Sequence, residues 1–581
     1  MKLPLKQYWA LLKQYLKPQW RNATLLAILL LTHIGLRLVN PQVMRFFIDT
    51  AVSQGPLSTL INAALLFLGI ATINQILSLS NTYLGEQVAW TATNALRHDL
   101  LRHVLRLDQS FHKQHTSGEM LERIDGDVNA LSNFFSRFAV FVVGNLLLIV
   151  GILVLLWREN GWLGFVWSSF TIIWLAAMIW LRGLAIQHWE KVRGFSGKFY
   201  GFLSEQLAAT EDIRANGAVN FVLHRVDVMF GDWFRTQLKA NKVANNMWSA
   251  SIVLFAIANG ITYVICAALF FNGRITIGTA YILILYANLI QDPMIQLRNQ
   301  LENLQKAEAS IQRIRELLAI ETKLVDGNGR SLPTAPLTLN VHDLTFSYEA
   351  DDLVLQNISF QLQQGRILGL LGRTGSGKTT LARLILRLYD PISGSITLDG
   401  VAPPTQQLAH WRTHVAMVTQ DVQLFRASIR ENLTFFNPHI ADADILETLA
   451  DLGLSEWLET QEYGLDTVLS SGRGSLSAGQ GQLLAFARVF LTNPGLIILD
   501  EASSRLDPAT EHLIERSLDR LLHNRTGIII AHHLATVQRA DDILILENGR
   551  ILEYGSRHQL ATNPQSRFAQ LLQTGLEDVL V

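Results

Sequence analysis

The chain has 581 residues, too many for a single hydrophobic core, and therefore predicts at least two domains. Lys, Arg, Asp and Glu make up only 17% of the residues and apolar residues make up 49%, a balance that favours a membrane protein. The formal net charge of -1 argues against a nucleic-acid partner and against an acidic disordered chain. The single cysteine, Cys266, excludes an intrachain disulfide and is expected to be a small buried apolar residue.

Residues 23–318 are predicted to form a membrane domain that follows an N-terminal amphipathic segment, residues 1–22. This segment carries five basic side chains, and the absence of a small-residue cleavage site after the first apolar stretch argues against a signal peptide. Charge-poor stretches predict six transmembrane helices, at 23–48, 50–85, 138–157, 160–181, 243–273 and 275–291. Arg37, inside the first stretch, is expected to be a structural arginine or to line a path.

The two long connections, 86–137 and 182–242, are rich in Lys and Arg, whereas the short connections between spans are not. Because cytoplasmic loops keep an excess of basic residues, the long connections and the N-terminus are predicted to face the cytoplasm. Both are nearly free of proline and helical in pattern, so each is predicted to be a pair of helical arms. The tips of the arms are expected near 115–123 and 208–217.

The composition of the sequence changes after residue 318, where the predicted membrane domain ends. Residues 319–336 contain glycine and proline clusters and predict a linker, and residues 337–575 predict a soluble α/β domain. Apolar strands alternate there with helical patterns, as a parallel sheet with crossover helices requires. The predicted strands include 367–371, 496–499, 528–531 and 543–546.

A glycine-rich loop, GRTGSGKT at 372–379, follows the strand 367–371 and opens a helix. It fits the phosphate-loop pattern G-x-x-x-x-G-K-(S/T), in which backbone N–H groups surround the phosphates. Lys378 is expected to reach the β and γ phosphates, and the Thr379 hydroxyl to bind Mg²⁺. The candidate nucleotide-binding residues here are Gly372, Gly375, Ser376, Gly377, Lys378, Thr379 and Thr380.

Two carboxylates, Asp500 and Glu501, end the apolar strand 496–499. Asp500 is placed to hold Mg²⁺ directly or through water, and Glu501 to polarise an attacking water as a general base. Paired acids after a strand also occur in solvated loops, and the phosphate loop earlier in the chain is what favours the catalytic interpretation.

Residues 476–480, LSAGQ, precede a helix that continues through Phe490. The Ser477 side chain and the amide of Gly479 would form an anion site at the helix N-terminus. Alone, this pattern is more typical of an ordinary N-capped helix than of an anion site.

With these motifs in order, the chain resembles an ATP-binding cassette (ABC) transporter of the exporter type, a half-transporter with six spans ahead of one nucleotide-binding domain. The segment 476–480 resembles the family's LSGGQ signature, and 418–421 its Q-loop around Gln420. Further matches are the D-loop with Asp507, the switch histidine His532, and Tyr348 where the family stacks an aromatic ring on adenine. The expected fold is therefore an α-helical membrane domain with long cytoplasmic arms, followed by a cytosolic α/β P-loop NTPase domain.

The resemblance implies a dimer in which two nucleotide domains close head to tail around Mg²⁺-ATP. Ser477, Gly479 and Gln480 would then meet the γ-phosphate held by the other subunit, and Asp507 would join the two sites. Glu501, His532 and Lys378 would be the catalytic residues. Thr379, Gln420 and Asp500 would hold the metal. Gln420 would also contact the arm tips, which would act as coupling helices.

Three positions depart from the family pattern. Ala478 replaces the usual signature glycine, Ser471 stands where many exporters carry glutamate, and Gly481 stands where Arg or Lys is common. The coupling route is accordingly less well defined by the sequence than the hydrolytic site.

The resemblance implies ATP-driven export by a multi-pass protein of the bacterial inner membrane, with a cytoplasmic nucleotide-binding domain. Its expected partners are the lipid bilayer, a second half-transporter in a homodimer or heterodimer, and a substrate that is a lipid, a drug-like amphiphile or a peptide. A nucleotide-gated channel or regulatory protein and an importer on the same scaffold remain alternatives. Polar residues in the spans are expected to be interhelical contacts: Asn74, Gln75, Asn145 and Asn259.

Overall fold

The computed structural model describes residues 13–137, 142–324, 326–327, 332–333, 336–349, 352–420, 422–469, 476–500, 508–531 and 537–574. Contacts divide the chain into two compact units. The membrane unit comprises Met1–Leu105 and Gly118–Ala319, and the nucleotide unit comprises Arg106–Ser117 and Ile320–Val581.

The described part of the membrane unit is helical throughout. After a 3₁₀ turn at Lys17–Gln19, its helices are Trp20–Val52, Leu57–Arg106, Ser117–Leu121, Asp127–Arg137, Gly144–Glu159, Gly161–Ala208, Thr210–Ala215, Val219–Phe271, Ile277–Leu289 and Gln291–Leu318. A π-helical turn, Glu122–Gly126, joins two of them. The helices Leu57–Arg106, Gly161–Ala208 and Val219–Phe271, of 50, 48 and 53 residues, run well beyond the length that crosses a bilayer, so that span and arm form one continuous helix in each.

Four stretches of the described chain are long and apolar enough to cross a membrane: Lys13–Val52, Leu57–Arg106, Gly161–Met178 and Val219–Phe271. The other two predicted spans correspond to the shorter helices Gly144–Glu159 and Ile277–Leu289. Residues 138–141, at the start of the predicted span 138–157, lie outside the described residues. The total of six spans therefore stays a prediction.

Hydrogen bonds between polar side chains join helices within the otherwise apolar core of the membrane unit. Trp167, fully buried, donates from Nε1 to Oγ1 of Thr262 at 2.9 Å. Asn145 donates to the side chain of Gln296 at 2.8 Å, which confirms its predicted interhelical role. Cys266 is buried, as expected.

A charged cluster lies at one end of the membrane unit. The Arg45 guanidinium pairs with the Glu159 carboxylate at 3.1 Å and lies 3.7 Å from that of Asp49. Asp49 also accepts hydrogen bonds from the Thr276 hydroxyl at 2.9 Å and from the backbone N–H of Gly278 at 2.9 Å. These contacts tie together the ends of three helices, Trp20–Val52, Gly144–Glu159 and Ile277–Leu289.

The helices Asp127–Arg137 and Gln291–Leu318 are joined by a buried carboxylate. Asp127 is 2% exposed and accepts hydrogen bonds from the Ser310 hydroxyl at 2.8 Å and from Nε of Arg313 at 2.9 Å. These bonds raise the pKa of Arg313 above its ordinary value. The carboxylate thus links the descending half of the first arm to the last helix of the membrane unit.

Short helices lie within both predicted arm tips. The short helix Thr210–Ala215 lies within the predicted tip 208–217. In the first arm, the helix Ser117–Leu121 lies within the predicted tip 115–123, and a further short tip helix that was not predicted, Gln109–Gln114, precedes it. Asp108 determines this start, because its carboxylate caps the helix by accepting from the backbone N–H of Phe111.

The described residues of the nucleotide unit form two sheets. Its strands are β1 Leu339–Ser347, β2 Leu353–Leu362, β3 Ile367–Gly372, β4 Ser393–Leu398, β5 Val415–Val418, β6 Leu496–Asp500, β7 Thr526–Ile530, β8 Asp542–Glu547 and β9 Arg550–Ser556. The order is β2-β1-β4 in an antiparallel sheet and β5-β6-β7-β3-β8-β9 in a second sheet. In the second sheet only β9 is antiparallel to its neighbour.

The helices of this unit, besides Gln109–Gln114, are Lys378–Ile385, Leu408–His414, Ile429–Thr434, Asp442–Asp451, Ser455–Glu459, Ala478–Thr492, Pro508–Leu522, Arg557–Thr562 and Arg567–Thr574, with 3₁₀ turns at Pro403–Thr405 and Gly464–Asp466. Strands β3, β6, β7 and β8 confirm the four predicted apolar strands. A membrane helical domain followed by an α/β domain is thus the observed fold class.

Candidate nucleotide-binding site

The register of the parallel sheet brings the predicted phosphate loop and Asp500 to one edge. Asp500 pairs with Ile530 of β7, and Ile530 pairs with Leu370 of β3. Two residues later β3 ends at Gly372, the first residue of the loop. The carboxyl ends of parallel strands meet at the same sheet edge, and ligands of open α/β sheets bind there.

Backbone geometry explains two glycines of the loop. Gly372 has a φ of 147°, and a Cβ there would lie 2.3 Å from the carbonyl oxygen of Leu546. Gly377 has a φ of 102° at the N-cap of the helix Lys378–Ile385, where a Cβ would lie 2.6 Å from a methyl group of Leu355. Only glycine fits at either position, so the loop can curl its N–H groups inward.

Two buried polar side chains in the loop are suited to phosphates. Lys378 is 6% exposed, and its ammonium donates to the carbonyl oxygens of Gly372 at 2.5 Å and Arg373 at 3.1 Å. Ser376 is 4% exposed, and its hydroxyl has no hydrogen-bond partner within the described part of the chain. A buried hydroxyl without a partner is costly, and an added phosphate oxygen would satisfy it.

The Thr379 hydroxyl lies 3.4 Å from a carboxylate oxygen of Asp500. A hydroxyl and a carboxylate at this separation, beside a triphosphate site, match the oxygen donors that Mg²⁺ prefers. The residues present therefore fit a magnesium-bound nucleotide.

Tyr348 projects from an aromatic cluster next to the helix that the phosphate loop opens. Its ring meets those of Phe346 and Tyr389 edge to face, with centroids 5.0 Å and 5.2 Å apart. Its hydroxyl lies 3.1 Å from that of Thr380 and accepts from Arg383 at 3.3 Å. Since Phe346 and Tyr389 are buried and Tyr348 is only half-buried, the cluster leaves the Tyr348 ring at the surface.

The signature segment forms the N-terminus of the helix Ala478–Thr492. Ser477 is its N-cap. The Ser477 hydroxyl accepts a hydrogen bond from the backbone N–H of Gln480 at 3.1 Å, and the backbone N–H of Ser477 donates to Oε1 of Gln480 at 3.0 Å. The interpretation as a capped helix is therefore correct for the single chain. This cap and the dipole of a 15-residue helix also provide the favourable environment for an anion that the sequence predicts.

Gln420 is exposed two residues after β5, at the same sheet edge as Asp500. Three other predicted site residues, Glu501, Asp507 and His532, lie outside the described residues, as does Ser471. Their roles stay predictions.

Sequence reasoning missed Arg488, which connects the signature helix to the segment after Gln420. Its guanidinium, 9% exposed, donates to the carbonyl oxygens of Asn432 at 2.8 Å and Gln423 at 3.0 Å. Burial lowers its pKa below the ordinary value for arginine. A single arginine within the apolar run LLAFARVF would have predicted such a buried contact to carbonyl oxygens.

Lys113 and Arg383 were missed as well, since neither belongs to a motif. The Lys113 ammonium lies 4.2 Å from the centroid of the Tyr348 ring. A contact between residues so distant in the chain has no local sequence pattern.

Comparison with known proteins agrees with this geometry. The family profile described as ABC transporter matches residues 355–504, and that described as ABC transporter transmembrane region matches residues 24–294. An ATP-dependent lipid A-core flippase of Vibrio vulnificus (strain YJ016) is 30% identical over 524 residues, covering 87% of each chain. The chain belongs to the ABC transporter family.

Two further similarities extend over nearly the whole length of this ABC transporter. The uncharacterized ABC transporter ATP-binding protein YknV of Bacillus subtilis (strain 168) is 29% identical, covering 95% of this chain and 92% of its own. A bacterial Atm1-family ABC exporter solved with ATP bound has the same fold, with a TM-score of 0.81, 21% identity, and coverage of 95% and 98%. The protein is thus a multi-pass membrane protein of half-transporter exporter architecture that binds ATP and couples its hydrolysis to export.

Proposed function

We propose that two copies of this chain form an exporter that moves a lipid-like amphiphile across the bacterial inner membrane, driven by Mg²⁺-ATP held between the two nucleotide units. The observation that carries the proposal is the convergence of Lys378, Thr379 and Asp500 at one sheet edge. A homodimer is supported by the sequence, because Glu501 and His532 are both present and the site lacks no catalytic residue.

In the proposed mechanism, Lys378 binds the β and γ phosphates after leaving the carbonyl oxygens that it now contacts. Thr379 and Asp500 would hold Mg²⁺, with Gln420 as a further ligand, and the metal would neutralise phosphate charge during transfer to water. Glu501 accepts a proton from the attacking water, and His532 orients the γ-phosphate.

The signature of the opposite copy completes the site. Ser477, Gly479 and Gln480 present a helix N-terminus to the γ-phosphate, and Asp507 contacts the neighbouring site across the dimer. Since this contact exists only in the closed arrangement, ATP favours closure by its difference in affinity for the two states. The arm tips carry closure to the membrane helices.

A lipid-like substrate is supported by two observations. The lipid A-core flippases are similar to this chain over most of its length. An open cleft of about 360 Å³, lined mainly by apolar side chains with Gln42, Thr59 and Asn62, lies between the first two long helices. Such a surface suits an acyl chain with a polar head better than a compact hydrophilic solute.

The hydrolytic assignment is tested with purified full-length protein carrying Glu501→Gln. We expect ATP turnover to fall at least about a hundredfold, while ATP binding persists and native mass spectrometry detects two chains with two nucleotides. Turnover at the wild-type rate, or only single chains in the spectrum, would contradict the proposal.

Transport is tested with vesicles that contain the protein and a labelled glycolipid in one leaflet. ATP should move the label to the other leaflet, and Lys378→Ala protein should not. If a labelled peptide moves and the glycolipid does not, the substrate class is wrong although the hydrolytic assignment stands.

A further inference from the structure

The tip helix of the first arm, Gln109–Gln114, belongs to the nucleotide unit together with its flanking residues. The Asp108 carboxylate holds this segment in place, because it accepts from the backbone N–H of Phe111 at 3.2 Å and from that of Lys323 at 3.1 Å. Phe111 is buried and stacks on His115 with centroids 4.3 Å apart. The segment is therefore an ordered part of the unit that binds the nucleotide.

Lys113 on this helix is exposed, and its ammonium lies 4.2 Å from the centroid of the Tyr348 ring. At that distance the cation is attracted to the electron-rich face of the ring. The buried rings of Phe346 and Tyr389 lie on the core side of Tyr348, which leaves the outer side for Lys113.

A purine base that stacks on Tyr348 needs the same kind of surface, an open ring face about 3.5 Å away. An ammonium group and a base cannot occupy one face together. The Tyr348 hydroxyl is hydrogen-bonded to Thr380 and Arg383, and these bonds fix the orientation of the ring. The ring is therefore poorly placed to turn and present its other face to the base.

We propose that Lys113 is a placeholder for the base of the nucleotide, so that base stacking on Tyr348 and the contact of Lys113 with that ring exclude each other. This inference rests on the assignment of Tyr348 as the base-stacking residue. Lys113 is thus a positioning residue that lowers affinity for the base. When the base binds, it displaces Lys113 from the ring and so changes the contact that the tip of the first arm makes. By reciprocity, base binding weakens the contact of the tip helix by the same factor.

Competition between Lys113 and the base predicts that removing Lys113 raises the affinity for ATP. Removing a lysine near a triphosphate site ordinarily weakens binding of the polyanion through loss of positive charge. Competition predicts the opposite for a nucleotide that carries a base. The contact of an exposed cation with a ring corresponds to about a two- to fivefold gain in ATP affinity when the ammonium is removed.

The experiment uses full-length protein in lipid nanodiscs and compares binding of Mg²⁺-ATP with that of Mg²⁺-tripolyphosphate, which has no base. Lys113→Met should raise ATP affinity about two- to fivefold and leave tripolyphosphate affinity unchanged or slightly lower. Lys113→Arg should bind ATP like the wild type, because arginine keeps the cation over the ring. Lys239→Met, an exposed lysine of the second arm, is the matched control and should change neither ligand.

A Tyr348→Ala background completes the test, since Lys113→Met should have no further effect on ATP affinity there. Unchanged or weaker ATP binding by Lys113→Met, or equal changes for ATP and tripolyphosphate, would overturn the placeholder role while leaving the phosphate site intact. Failure of the wild type to bind either ligand would instead contradict the proposed function itself.

Discussion

The two units of the molecule use their buried polar groups in different ways. In the nucleotide unit, Ser376, Lys378 and Thr380 are all buried and cluster in the loop and first helical turn at one sheet edge. In the membrane unit, buried polar groups pair across helices at separate places, as Trp167 does with Thr262. Clustered groups at one edge make a binding site, whereas dispersed pairs specify which helices pack together.

The difference predicts two kinds of mutant. Loss of Lys378 from this cluster should remove activity and leave stability almost unchanged, because its hydrogen bonds to two carbonyl oxygens are offset by the cost of burying its charge. Loss of a dispersed pair should lower stability and leave nucleotide affinity unchanged.

The largest effect is expected for Lys378→Ala in the phosphate loop. Removing a donor aimed at developing phosphate charge should lower ATP turnover at least about a hundredfold. The melting temperature of the nucleotide-free protein should stay close to that of the wild type. Turnover and thermal unfolding measured on one preparation check both expectations, with Lys239→Ala as the control. A large loss of stability would mean that Lys378 is as much a structural residue as a binding one.

The second prediction concerns Asp127 in the membrane unit. Asp127→Ala leaves the Ser310 hydroxyl and the Arg313 guanidinium without their shared acceptor, at an expected cost of about 2 kcal/mol in unfolding free energy. Denaturant unfolding in detergent measures the change, and ATP affinity should not move. Asp125→Ala is the matched control, because that carboxylate is 56% exposed in its pair with Arg97 and should contribute less than about 1 kcal/mol.

The same contrast explains how much could be predicted from the sequence. Phosphate binding demands particular residues at fixed spacing, so 372–379 and Asp500 could be assigned from their order and from the strand before each. Packing of membrane helices demands only small or apolar surfaces, with polar partners far apart in the chain. Asn145 could be predicted to contact another helix, but its partner Gln296, 151 residues later, could not.

The first arm shows a second limit. Its tip was expected at 115–123, where the short helix Ser117–Leu121 lies, but the preceding helix Gln109–Gln114 was not predicted. The decisive group is the Asp108 carboxylate, which caps this helix and also binds the backbone N–H of Lys323. A tertiary contact of this kind has no local pattern, and the same is true of Lys113 against Tyr348.

The third prediction tests that cap. Asp108 is buried, which by itself would raise its pKa, but hydrogen bonds from Ser110 and from the backbone of Lys323 and Phe111 lower it overall. Asp108→Asn keeps one oxygen to cap the helix but replaces the second oxygen, which accepts from the backbone N–H of Lys323, with an NH2 group, and should weaken the local structure by about 1 kcal/mol. Hydrogen exchange in 106–117 should then quicken about fivefold, with no change at the sheet.

The depressed pKa fixes the direction of the pH dependence. The Asp108 contribution is fully present above the ordinary carboxyl pKa of about 3.9 and is lost as pH falls through the lower native value. Exchange of the wild-type segment should therefore be protected at neutral pH and should approach that of Asp108→Asn only under strong acid. Protection that fails already between pH 5 and 7 would assign it to a histidine instead.

The smallest effect is expected for Thr262→Val in the membrane core. The substitution keeps the volume but removes the oxygen that accepts from Nε1 of Trp167 at 2.9 Å. In a bilayer the unfolded helices also find partners for such groups, so the expected loss is only about 0.6 kcal/mol. Trp174 illustrates this tolerance, because its ring is fully buried and its Nε1 has no partner among the described residues.

Thr32→Val is the matched control, since among the described residues the exposed Thr32 hydroxyl donates only to the carbonyl oxygen of Ile28 within its own helix. The two variants should differ by the interhelical bond alone, and denaturant unfolding of both in the same detergent measures that difference. If Thr262→Val instead altered ATP turnover at unchanged stability, the contact between these two helices would be part of the transport cycle. In that case the same residues inside the membrane would serve both helix packing and transport. The contrast between clustered polar groups that bind and dispersed polar pairs that pack would then not hold in the membrane unit.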